Sequence, residues 1–127
     1  MDSLDIANVL KHDKNFRGVF SIDTLPRTRV KFPAKFIINL DRSTGDGTHW
    51  IAVYFTKNGY AFYFDPLGSP PPKLMEIFLH RNSKNRIHIF RKRIQALNSN
   101  KCGLFSIIFL KHAPNFRKFF RRFKECD

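Results

Sequence analysis

Two runs rich in β-branched and aromatic residues, His49 to Thr56 (HWIAVYFT) and Tyr60 to Asp65, are separated only by Lys57-Asn58-Gly59. Such a spacer between such runs reads as a tight hairpin turn. Pairing about that turn makes the two runs antiparallel neighbours and draws their outer ends together, His49 at one and Asp65 at the other. A third run, Lys35 to Leu40 (KFIINL), has the same composition, so the three predict a central sheet.

The remaining segments predict elements around that sheet. Ser3 or Asp2 caps a short helix with apolar positions at Leu4, Ile6, Val9 and Leu10, ending near Lys11. The stretch Phe16 to Pro26 contains Gly18 and a terminal proline, which predicts an irregular loop with one short strand. Gly68-Ser69-Pro70-Pro71-Pro72 breaks the chain, and Pro72 or Lys73 begins a helix running to about His80. Arg86 to Ile94 alternates basic and apolar residues and suits an outer strand. Cys102 to His112 predicts a buried helix, and Asn115 to Lys124 (NFRKFFRRFK) a basic aromatic one after Pro114. No repeat or linker divides residues 1–127, which predict one compact domain.

Within this frame lies a pattern of chemistry. In QALNSNKCGLFSIIFL, a side-chain amide at Gln95 stands seven positions before Cys102, which opens an apolar helix. A helix start directs free N–H groups and the positive end of the macrodipole at the sulfur, favouring thiolate over thiol. His49 is available as general base, Asp65 as the carboxylate that fixes its tautomer, and Gln95 as an oxyanion donor. Taken singly, each has a plainer reading: a small buried hydrophobe, a structural histidine, a turn-initiating aspartate, a solvated loop amide. Trp50 reads either as a wall of a substrate cleft or as a sheet-packing aromatic, and Gly103 as a point of close backbone approach behind the nucleophile. His12, His80, His88 and His112 read as surface or packing residues, and two cysteines without paired spacing predict no zinc site.

The charge is lopsided. Of 23 basic and 10 acidic residues, positions 1–72 hold 9 and 7, and positions 73–127 hold 14 and 3. A half-chain at +11 attracts polyanions, of which nucleic acid is the commonest intracellular one. Arg117, Lys118, Arg121 and Arg122 recur at helical spacing and predict a nucleic-acid-binding stripe, with the plain alternative of a solvated face on a closing helix. No run reaches the ~18 apolar residues of a membrane helix. The start, MDSLDIANVL, lacks the basic end and apolar core of a secretory signal, so the expectation is a reducing, intracellular compartment and no membrane association.

The segments GTHWIAVYF (47–55), YFDPLG (63–68) and QALNSNKCGLFSIIFL (95–110), in that order, resemble the adenovirus endopeptidase (adenain-like) cysteine protease family, related to the proteases of ubiquitin-like proteins. The resemblance implies an α+β, papain-like fold in which a mixed central sheet packs against the helix carrying the nucleophile. It implies a Cys102–His49–Asp65 triad with Gln95 at the oxyanion hole and Trp50 and Gly103 in the substrate cleft. It also implies viral precursor proteins cut at glycine-containing motifs, no metal or small-molecule cofactor, activation by DNA, and a place in the host nucleus and virion. A monomer is expected. The chain ends twenty-five residues after Cys102, well short of adenovirus enzymes, which counts against a peptide activator. Asp65 stands where those enzymes usually carry Glu, and in this the chain resembles the ubiquitin-like-protein proteases instead. Cys126 does not match the cysteine that binds the family's peptide cofactor. Two alternatives are a protease of ubiquitin-like modifiers and an inactive protease-like protein that binds nucleic acid.

Overall fold

The computed structural model describes residues 2–41, 49–94 and 101–122. Nine elements follow one another: α1 (Ser3–Leu10), β1 (Phe16–Ser21), β2 (Ala34–Asn39), β3 (Trp50–Phe55), β4 (Ala61–Phe64), α2 (Lys73–Asn82), β5 (Ile87–Phe90), α3 (Cys102–His112) and α4 (Phe116–Arg122). The strands form one sheet in sequence order, with the central pairs β2–β3 and β3–β4 antiparallel and the outer pairs β1–β2 and β4–β5 parallel. The sheet is therefore mixed.

Every residue of β2 and β3 is buried, because helices or loops cover both faces of the sheet. Alternation then divides the core in two. Ile37, Ala52, Tyr54 and Phe64 point into a layer made with α1, α3 and α4, whereas Phe36, Ile38, Val53, Phe55 and Tyr63 point into a layer under α2. Phenylalanine dominates the first layer: Phe109 of α3 stacks on Phe64 at 4.4 Å and on Phe116 of α4 at 4.3 Å. Ring stacks of this kind contribute about 0.5–1.5 kcal/mol beyond the area they bury. They fix α3 and α4 against the sheet.

The stretch Phe16 to Pro26 holds its one strand at Phe16–Ser21, the edge strand β1, whose register shifts between Phe16 and Gly18, with Gly18 at φ 131. That bulge breaks the alternation by which strands are recognised. The outer strand read over Arg86 to Ile94 keeps only Ile87–Phe90 in the ladder. Beyond it the chain turns onto Gly68, where Ile94 donates to the Pro66 carbonyl at 2.9 Å.

Candidate active site

The β3–β4 hairpin sets the site. Ala52 lies opposite Phe64, so His49 and Asp65 fall just past the strand ends on the same side of the sheet. A turn shapes the carboxylate: Gly68 donates to the Asp65 carbonyl and the Leu67 N–H to Asp65 Oδ1, both at 2.8 Å. Gly68 has φ 71, and a Cβ there would stand 2.7 Å from the Arg91 carbonyl oxygen. Only glycine meets both conditions. Asp65 is 1% exposed, and its Oδ2 is buried with no hydrogen-bond partner among the described residues.

His49 Nε2 meets Asp65 Oδ1 at 2.8 Å. That contact leaves Nδ1 for the other neighbour of the ring, the Cys102 thiol, with which His49 shares a side-chain hydrogen bond. Burial works against the charged ring, but the hydrogen bonds and negative charge of Asp65 and Cys102 outweigh it and raise the His49 pKa to about 9. At Cys102, burial pushes the thiol up. The bond to His49, the Trp50 N–H and the Gly103 N–H overcome this and hold the pKa below its ordinary value. Opposite shifts in one hydrogen-bonded pair favour a thiolate beside an imidazolium, titrating as a unit.

The sulfur sits at the start of α3, where Lys101, the N-cap, gives the helix no side-chain hydrogen bond. The Gly103 N–H of the first turn thus meets the sulfur without a competing cap. From β3, the Trp50 N–H donates to Cys102 Sγ at 3.4 Å. One turn along α3, the Ser106 hydroxyl donates to the Trp50 carbonyl at 3.1 Å and is completely buried. Helix and strand are tied twice at the same residue, once through Cys102 and once through Ser106.

His49 and Asp65 meet across the hairpin, and Cys102 joins them from the start of α3. Trp50 is 7% exposed and packed in the core, and its main-chain N–H donates to the sulfur. Gly103 is buried behind Cys102. Gln95 lies outside the described residues, as do Phe123, Lys124 and Cys126. Arg117, Lys118, Arg121 and Arg122 are exposed on α4, while Phe116 and Phe119 are buried against α3 and the sheet. Ser106 carries no mark of its role in the sequence, whereas Asp65 does initiate the turn that Asp-Pro followed by Gly suggests, and that turn holds its carboxylate.

Among the described residues, no group of three or more His, Cys, Asp or Glu side chains is placed to hold a metal ion. Nor is any helix there long and apolar enough to cross a membrane.

Comparison with known proteins gives concordant results. A family model described as adenovirus endoprotease matches residues 12–124. The protease of equine adenovirus B serotype 2 is 34% identical over 115 residues, covering 79% of this chain and 53% of that protein. A protein of African swine fever virus named SUMO-1 cysteine protease is 27% identical over 86 residues, covering 59% of this chain and 32% of its own. A crystal structure of an African swine fever virus protease superposes with a TM-score of 0.50 at 24% identity, over 61% of this chain and 34% of the other. That likeness shows the fold, an adenain-like α+β arrangement. The chain spans between a third and about half of the length of these relatives.

Proposed function

Because this chain belongs to the adenovirus endoprotease family, we propose that it acts as a cysteine endopeptidase with Cys102 as nucleophile, His49 as acid–base and Asp65 as the group that orients His49. The observation that carries the reading is the linked set Asp65–His49–Cys102, with its 2.8 Å carboxylate contact and a thiol pKa held low.

In this mechanism the Cys102 thiolate attacks the carbonyl carbon of the scissile peptide bond. The negative charge that develops on the carbonyl oxygen is received by N–H groups at the start of α3 and by the Gln95 amide. His49 passes its Nδ1 proton to the departing amine as the C–N bond breaks, leaving an acyl thioester. Water then attacks the thioester, His49 takes its proton, and the sulfur leaves as the acid product forms. Asp65 accepts from His49 Nε2 and stabilises the imidazolium.

The substrates in this reading are viral precursor proteins cut after glycine, a residue whose lack of a side chain lets the backbone pass a narrow cleft. The exposed α4 residues Arg117, Lys118, Arg121 and Arg122 bind DNA, which activates the monomeric protease or holds it near packaged substrates in the host nucleus and virion. No metal or peptide activator enters the reading. The name of the swine fever virus relative favours a second one, removal of a ubiquitin-like modifier, in which the substrate is a folded protein ending in glycine.

Incubation with a library of glycine-containing peptides, with and without DNA, tests the proposal against the Cys102→Ala variant. Cleavage by the wild type that is lost in the variant is expected. Cleavage surviving in the variant, or none by the wild type under either condition, would overturn it. Preference for a folded modifier over every peptide would select the second reading.

A further inference from the structure

The face of the sheet away from Cys102 carries a run of connected hollows. One, of about 320 Å³, lies between Leu25, Leu74, Ile77 and Phe78, flanked by Arg27 and Arg81. A second, of about 260 Å³, shares Arg27 and Arg81 with it and adds Thr28, Arg29 and Asn82. A third, of about 280 Å³, shares Thr28 and Arg29 and extends to Arg17 and Lys31. The three form one groove along residues 22–31, bordered by α2.

The groove is built rather than incidental. Arg81 donates to the Pro26 carbonyl at 2.8 Å, and Asn82 Oδ1 accepts from the Val30 N–H at 3.3 Å, fastening the segment to the last turn of α2. Arg17 donates to the carbonyls of Pro33 and Lys31 at 2.9 and 3.4 Å. Carbonyls fix the direction of a guanidinium without cancelling its charge. Five cations line the groove and have no carboxylate partner among the described residues, while Asp23 is the one acidic side chain in the lining. Its apolar end is open: Leu74 is 41% exposed and Ile77 48%, three residues apart on one face of α2, with Arg81 following on the same face.

We infer that this groove docks an acidic peptide segment of a partner protein, with carboxylates on the arginines and an aliphatic side chain seated between Leu74 and Ile77. Charge complementarity calls for an anionic partner, and guanidinium groups pair best with planar carboxylates or phosphates. The apolar end decides between the two. Aliphatic Leu25, Leu74 and Ile77 give a leucine-like side chain a place to bury area. A nucleic acid would need exposed rings as stacking platforms, but of the three rings in the lining Phe36 and Phe78 are each 1% exposed and Phe20 alone is half-buried, at the end away from Leu74 and Ile77. The groove is separated from the nucleophile by the sheet, so docking there leaves the catalytic cleft free.

The test uses the full chain and a fluorescein-labelled peptide of leucines set among glutamates, followed by anisotropy, with a leucine–lysine peptide and duplex DNA as comparisons. The expected result is saturable binding of the glutamate peptide alone among the two peptides. It weakens about tenfold or more in Arg27→Glu/Arg29→Glu and separately in Ile77→Asp, and is unchanged in Arg117→Glu/Arg121→Glu. Circular dichroism of each variant confirms that it is folded. Absence of binding, or binding indifferent to the groove variants, overturns the inference. So does displacement by DNA together with indifference to Ile77→Asp, which would make the groove a phosphate site. Binding rather than cleavage is read, so either result leaves the catalytic proposal to its own test.

Discussion

His49 owes its charge to Asp65 and Cys102, and that dependence is testable one atom at a time. Asp65→Asn keeps the volume and a carbonyl oxygen opposite Nε2 but removes the negative charge that raises the ring. The His49 pKa then falls from about 9 toward its ordinary 6.5. Because the imidazolium is the form that protonates the leaving amine, the alkaline limb of the pH–rate profile moves down with it, while turnover persists at lower pH. A profile unchanged in Asp65→Asn would show that the carboxylate does not set the charge of His49. The same shift has a sign for stability. A folded pKa above the unfolded one means the pairing contributes fully below about 6.5 and is lost as pH rises through about 9. The meeting of His49 and Asp65 was legible in the sequence because a hairpin with a recognisable turn fixes which ends meet. Ser106 was not, since a serine in an apolar helix carries no local mark of its partner, the Trp50 carbonyl, fifty-six positions away.

At the scale of elements, α3 is held by its aromatic stacks and by Ser106, and the two have different consequences. The stacks through Phe109 set how far α3 stands from the sheet. Ser106 fixes its position along β3, keeping the Trp50 N–H on the sulfur. Ser106→Ala removes one buried hydrogen bond, worth about 1 kcal/mol, so the protein remains folded. The expected effect on catalysis is larger than on folding: kcat falls with KM little changed, and the acid limb moves up as the thiolate loses a donor. Equal loss in Tm and no movement of the acid limb would mark Ser106 as structural only. The bounds of α3 could be read from its apolar run and the proline that follows. Those of β1 and β5 could not, because a bulge at Gly18 and the close approach at Gly68 are settled by neighbouring strands rather than by local pattern.

Across the whole molecule, the sheet separates two basic surfaces. On one side α3 and α4 carry Cys102 and an exposed arginine row; on the other, α2 and residues 22–31 enclose the basic groove. The net charge of +13 was plain from composition, but its division between faces depends on tertiary packing. If α4 is the DNA-binding element, affinity for duplex DNA falls steeply with salt. Replacing Arg117, Lys118 and Arg121 by alanine then flattens the log–log salt slope by about 0.9 for each phosphate that is no longer neutralised. A slope unaltered by the triple variant would move DNA binding elsewhere.

The proposed catalysis requires Cys102 to be a thiolate activated by His49. The most direct measurement is alkylation by a glycine-ended peptide electrophile across pH, with the modified residue identified by mass spectrometry. A single adduct on Cys102 is predicted, formed well below the ordinary thiol pKa and changing again near pH 9 as His49 loses its proton. Labelling at Cys126 instead, or a rate that rises only through the ordinary thiol range, would contradict it.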